Sequence, residues 1–142
     1  MVLQIFNQTT VTALREFGPE VSIINYQETA LFIEIINRLW EIVNVKTMFK
    51  GKRLRNKFQE PVTRNSKHIL DYMNSFLEFL NKWQNLTYGD GKITKDTHFA
   101  VTHTTKAFIG IINYLLYEKN FNFILLGKIQ TDQLEERFGK YR

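Results

Sequence analysis

Thr29-Ala30-Leu31-Phe32-Ile33-Glu34-Ile35-Ile36-Asn37-Arg38-Leu39-Trp40-Glu41-Ile42-Val43-Asn44 repeats its apolar side chains every three or four residues. Phe32, Ile35, Ile36, Leu39, Ile42 and Val43 thereby form one stripe of a helix, and Glu34, Asn37, Arg38, Glu41 and Asn44 form its wet side. Thr29 is a suitable N-cap, and the helix is predicted to run to about Lys46. The period is helical, with no strand alternation, and it recurs through most of the chain. The fold class that follows is mainly α, a bundle of about five helices.

Upstream, Leu3, Phe6, Thr10, Ala13, Leu14 and Phe17 predict a first helix over Val2 to Phe17, stopped by Gly18-Pro19. Downstream, Pro61 marks a boundary. Asn65 or Ser66 is placed to cap a long third helix carrying Ile69, Leu70, Met73, Phe76, Leu77, Leu80 and Trp83. Tyr88-Gly89-Asp90-Gly91-Lys92 reads as a turn or open loop. A fourth helix is predicted from about Thr97 to Asn120, with Val101, Thr105, Phe108, Ile109, Ile112, Leu115 and Leu116 inward. The apolar run Phe121 to Ile129 fits a short buried strand or a helix-to-helix connection equally well. Thr131 or Asp132 then starts a fifth helix.

At 142 residues the chain is about one domain long and can bury a core of its own. Twelve Phe, six Tyr and two Trp make that core aromatic, and two Pro with seven Gly leave little room for disorder. The absence of cysteine excludes disulfides and thiolate zinc sites and is compatible with a reducing, intracellular compartment. Met1-Val2-Leu3-Gln4-Ile5-Phe6 lacks a basic n-region, so no secretory signal is expected. No apolar stretch reaches the length of a membrane span. Of the basic residues, Lys46, Lys50, Lys52, Arg53, Arg55 and Lys57 crowd into one segment, predicted to be a loop. Such a run is able to neutralise phosphates or simply to face water.

Two constellations carry possible chemistry. Trp40 lies four residues from Asn44 and Glu41 three from it, which places them together on a helix face. An indole that stacks, a carboxylate that accepts from N1–H and the exocyclic amine, and an amide for the remaining edge suit a guanine base. The bland alternative is a core Trp with a wet flank. Asp132 and Glu135, also three apart, suit either a divalent cation or a capping box. His98 and His103 share no helical face well, and no metal site is expected there. The chain has no Walker loop and no nucleophile elbow, and Tyr88 to Gly91 lacks the oxygen ligands of a calcium loop.

The pattern Thr-Ala-x-Phe-x-x-x-x-Asn-x-x-aromatic-acidic-x-x-Asn over Thr29 to Asn44 resembles the nucleotide-reading helix of the GTP-binding insertion in P element-like and THAP-domain transposases. Leu-Leu-Gly-Lys-Ile-Gln-Thr-Asp-x-Leu-Glu-x-x-Phe-Gly-x-x-Arg, from Leu125 to Arg142, resembles the segment where such chains return to their RNase H-like catalytic domain. Gln4-Ile5-Phe6-Asn7 is similar to that family's Gln-Val-Phe-Ser stretch. The resemblance covers nearly the whole chain. It implies a helical GTP-binding domain over 1–120 and the start of an RNase H-like segment, an incomplete layer, over 121–142.

It further implies that Trp40 stacks on the base, that Glu41 reads guanine with Asn44, and that Asn7 stands near the nucleotide where a serine hydroxyl is usual. Asp132 would lie near the nucleotide's magnesium, and Glu135 would be the third catalytic acid. The family's guanine-reading acid is commonly Asp, so Glu41 is one methylene longer. GTP with Mg would act as a structural cofactor that helps position DNA and is not hydrolysed. Two-metal DNA chemistry needs several converging carboxylates. Only Glu135 matches, so the chain on its own is expected not to be an enzyme but a transposase fragment, nuclear by resemblance. The alternative expectation is a helical interaction module that has lost nucleotide binding and contacts nucleic acid or protein through Lys50, Lys52, Arg53, Arg55 and Lys57.

Overall fold

The computed structural model describes residues 5–85 and 93–130 together with Gly139. It is mainly helical, with five α-helices among the described residues: α1 (Gln8–Phe17), α2 (Tyr26–Val43), α3 (Lys50–Leu54), α4 (Lys67–Gln84) and α5 (Lys95–Asn113). The chain divides into two compact units, Met1–Val43 and Asn44–Arg142. The predicted fifth helix at Thr131 or Asp132 and the predicted turn at 88–92 lie outside the described residues.

In the first unit α1 pairs with α2. Val11, Ala30 and Ile33 form its buried core, with Phe6 and Leu14 packed against them and the Phe6 ring meeting Phe32 edge-on at 6.0 Å. On the outside, Arg15 grips Glu34 with both guanidinium nitrogens, at 2.9 and 2.7 Å. Three expected boundaries move. The first helix begins at Gln8, because the Asn7 carboxamide oxygen accepts from Thr10 N at 2.9 Å and so caps it. The second begins three residues before Thr29. Asn25 takes a left-handed conformation (φ 57), and its carbonyl receives both the Thr29 amide and the Thr29 hydroxyl. Thr29 is therefore inside the helix and not its cap, and the helix ends at Val43, short of Lys46.

In the second unit α4 and α5 pack together. Ile69, Met73, Phe76 and Leu80 of α4 are buried at the spacing the sequence shows, with Thr105 and Ile112 of α5. Ser66 stands at the N-cap of α4, although its hydroxyl turns back to Thr63 N. Helix α5 starts at Lys95, two residues before Thr97, because Thr94 accepts from Thr97 N. The α-helix stops at Asn113 and gives way to a π turn, Tyr114–Glu118, in which Lys119 N reaches Tyr114 O five residues back. Asn120, at φ 56, then ends the run where the sequence predicted.

Phe121 to Ile129 forms no strand. One antiparallel bridge joins Val62 and Ile124, with N–H to carbonyl distances of 2.9 and 2.8 Å, and a 3-10 turn follows at Leu126–Lys128. Ile124 and Leu126 are buried while Phe121 and Phe123 stay exposed, so the run is a connection pinned at a few points. Gly127 supplies one of them. Its amide bonds Val45 O at 3.0 Å, and a Cβ there would meet that carbonyl at 2.9 Å, which leaves no room for a side chain.

The basic segment is not an open loop. Lys50–Leu54 makes the short helix α3, which closes with Arg55 in the left-handed conformation (φ 51) and Asn56 N bonded to Gly51 O at 2.9 Å. A 3-10 turn, Lys57–Gln59, follows, and Phe58 wedges edge-on against His68 and Tyr72 of α4 at 5.3 and 5.8 Å. The segment is thus clamped at one end to a long helix.

Candidate functional site

The residues that suit a purine fall at the end of α2. Trp40 is not part of a sealed core: 38% of its surface is open to solvent. Glu41, one residue on, is more enclosed, with 19% of its side chain exposed, and its carboxylate bonds Arg38 at 3.0 Å along the helix. Asn44 follows the last helical residue, so the i, i+4 spacing to Trp40 is not held by a continuous helix. The Asn44 side-chain oxygen is buried without a hydrogen-bond partner. An unmatched buried acceptor costs about 1–3 kcal/mol, and a donor brought by a ligand or by water would recover it.

Asn7 spends its carboxamide oxygen on the first turn of α1, taking Thr10 N at 2.9 Å and the Thr10 hydroxyl at 3.3 Å. It therefore has a structural duty whatever else it contacts. Asp132 and Glu135 lie outside the described residues. Among the described residues no group of three or more His, Cys, Asp or Glu is placed to hold a metal ion.

The basic segment presents its charges outward. Lys52, Arg53, Arg55 and Lys57 are exposed and Lys50 partly so, and none of the five has a carboxylate partner among the described residues. Phe49, at the entry to α3, is 72% exposed, and Leu54 and Met48 are exposed beside it in sequence. Unpaired cations close to an open aromatic ring can meet phosphates and stack on a base.

Two further features were not legible as sites in the sequence. Leu77, Glu78 and Asn81 of α4 and His98, Thr102 and Lys106 of α5 line an open groove of about 410 Å³. Within it the His98 Nε2 and Thr102 Oγ1 atoms are buried without partners. His98 thus differs from His103, which stacks on Phe99 at 3.9 Å and bonds its carbonyl. The spacing 98, 102, 106 along α5 was the available signal. The second feature is a polar pocket around Arg64, beside the Val62–Ile124 bridge.

No family model, curated protein or solved structure matches the chain. No helix among the described residues is long and apolar enough to cross a membrane.

Proposed function

We propose that the chain is the GTP-binding helical insertion of a P element-like transposase, with residues 1–120 forming the nucleotide-binding part and 121–142 the start of the returning RNase H-like segment. The observation that carries this reading is the state of Trp40. The aromatic that the resemblance sets against the base is open to solvent beside the partly enclosed carboxylate of Glu41. A stacked, desolvated indole contributes about 1–3 kcal/mol per base, enough to be read in a binding experiment.

In this reading GTP with magnesium binds as a structural cofactor, Trp40 stacks, Glu41 and Asn44 read the guanine edge, and Asp132 lies near the metal. Glu135 becomes catalytic only in a complete enzyme, which works on DNA in the nucleus. The free chain does not cut or join DNA. Calorimetry with GTP and ATP, each with magnesium, tests it. The expected result is a guanine preference that Glu41→Ala removes and a loss of about tenfold for Trp40→Ala. Equal affinities for the two nucleotides, or unchanged binding in Glu41→Ala, would refute it.

A second reading is favoured by the five cations Lys50, Lys52, Arg53, Arg55 and Lys57, which have no carboxylate partner among the described residues. Here the chain is a helical interaction module that contacts nucleic acid through α3. It predicts sequence-independent DNA binding that weakens steeply with salt and disappears on charge reversal at Lys52, Arg53 and Arg55.

A further inference from the structure

The Val62–Ile124 bridge brings two short polar segments side by side, Thr63-Arg64-Asn65 just after one partner and Phe121-Asn122 just before the other. These five residues line a pocket of about 390 Å³. At its centre is an arginine whose posture is fixed by the π turn. Arg64 Nε and Nη2 both donate to the carbonyl of Leu116, at 3.0 and 2.8 Å, and Nη2 also donates to the Asn120 side-chain oxygen at 2.7 Å.

All three bonds go to neutral acceptors. Among the described residues the guanidinium has no carboxylate partner, and its Nη1 makes no hydrogen bond. An arginine held in this way has already lost its rotamer freedom, so an anion that meets its open edge does not bear that cost. Around it, the Asn65 and Asn122 carboxamides make no hydrogen bonds among the described residues, and the Phe121 ring is 51% exposed.

We infer that this pocket binds a phosphate group carried on a planar ring, with the phosphate on Arg64 and the two carboxamides and the ring against Phe121. Two features of the pocket choose that ligand over a bare anion. Its volume is at the lower end of what small-molecule sites use, several times what one water-sized group fills. And an exposed aromatic face adds nothing to the binding of a free phosphate ion. The pocket's lining includes neither Trp40 nor Glu41, and the inference stands whether or not the chain binds GTP there.

The test is a titration of the full chain by two-dimensional amide NMR with phenyl phosphate, inorganic phosphate and phenol. Phenyl phosphate is expected to shift the Arg64, Asn65, Phe121 and Asn122 amides saturably, inorganic phosphate to do so more weakly, and phenol hardly at all. Arg64→Ala should abolish the effect but also strips the Leu116 carbonyl, so Phe121→Ala and Asn122→Ala decide. Neither side chain takes part in that capping, and each should weaken phenyl phosphate about fivefold with an unchanged thermal midpoint. Binding that survives both substitutions, shifts confined to α3, or no saturable shift overturns the assignment.

Discussion

Gly51→Ala in α3 sets two effects of opposite sign against each other. Replacing a helical glycine by alanine ordinarily stabilises, by about 0.5–1 kcal/mol, because glycine loses more backbone freedom on folding. Here the added methyl would sit 2.6 Å from Glu60 N and 2.7 Å from the Gln59 carbonyl carbon, both backbone atoms, and would also meet Glu60 Cγ. The side-chain carbon can swing away but the backbone cannot. Relief requires α3 to move outward by several tenths of an ångström, which strains the Asn56 N to Gly51 O bond and the Phe58 wedge. Overpacking of this kind costs about 1–3 kcal/mol. The steric cost exceeds the propensity gain, and the variant is expected to be less stable by about 1–2 kcal/mol. Gly110→Ala in α5 is the internal control, since nothing lies within 4 Å of its added methyl. It should stabilise by about 0.5–1 kcal/mol. Urea unfolding followed by circular dichroism reads both as shifts in midpoint at constant slope. A Gly51→Ala midpoint at or above the parent would refute the argument, because it would mean that α3 does not approach Gln59 and Glu60 as described.

Asn7→Ala should destabilise by about 1 kcal/mol through loss of the α1 cap, and Asn7→Ser should recover most of it, since serine caps comparably. Nucleotide affinity measured in the same two variants separates the capping duty from any ligand contact. Arg64→Ala should lower stability by about 1–3 kcal/mol by leaving the Leu116 carbonyl without its donor, and an unchanged melting midpoint would contradict that role. Arg15→Ala removes a well-aligned but exposed ion pair and should cost at most about 1 kcal/mol, shrinking as salt is raised.

The long helix α4 was readable because its apolar positions recur at three and four over many residues and a capping residue stands before them. Those signals act locally and act together. Helix α3 was not readable: Lys-Gly-Lys-Arg-Leu has no apolar stripe, and the segment is shaped by the contact of Gly51 with residues distant by about two turns of chain. The end of the helical run was seen at Asn120, yet the passage from α to π bonding after Asn113 leaves no trace in a pattern of apolar spacing. Phe121 to Ile129 looked equally like a strand or a connection because a short, mostly apolar run shows neither period clearly, and the single bridge to Val62 resolves it. At the candidate site, Trp40 and Glu41 were legible as neighbours on one helix, whereas the capping use of Asn7 depended on where α1 begins. The Arg64 pocket joins residues more than fifty positions apart and has no short-range signature.

The π turn at Tyr114–Glu118 is a helix with one residue more than regular bonding accommodates. Deleting one of its residues other than Leu116, Tyr117 for example, would restore the ordinary ladder and leave the chain after it close to its present direction, because the wider turn absorbs its extra residue locally. The Leu116 carbonyl would then stand in a regular ladder, where a backbone amide competes with Arg64 for it, while the Val62–Ile124 bridge would remain. Loss of the single codon for Tyr117 would thus weaken the guanidinium's anchor without removing a residue that contacts it, so an allele lacking that codon should lose phosphate recognition before it loses the fold.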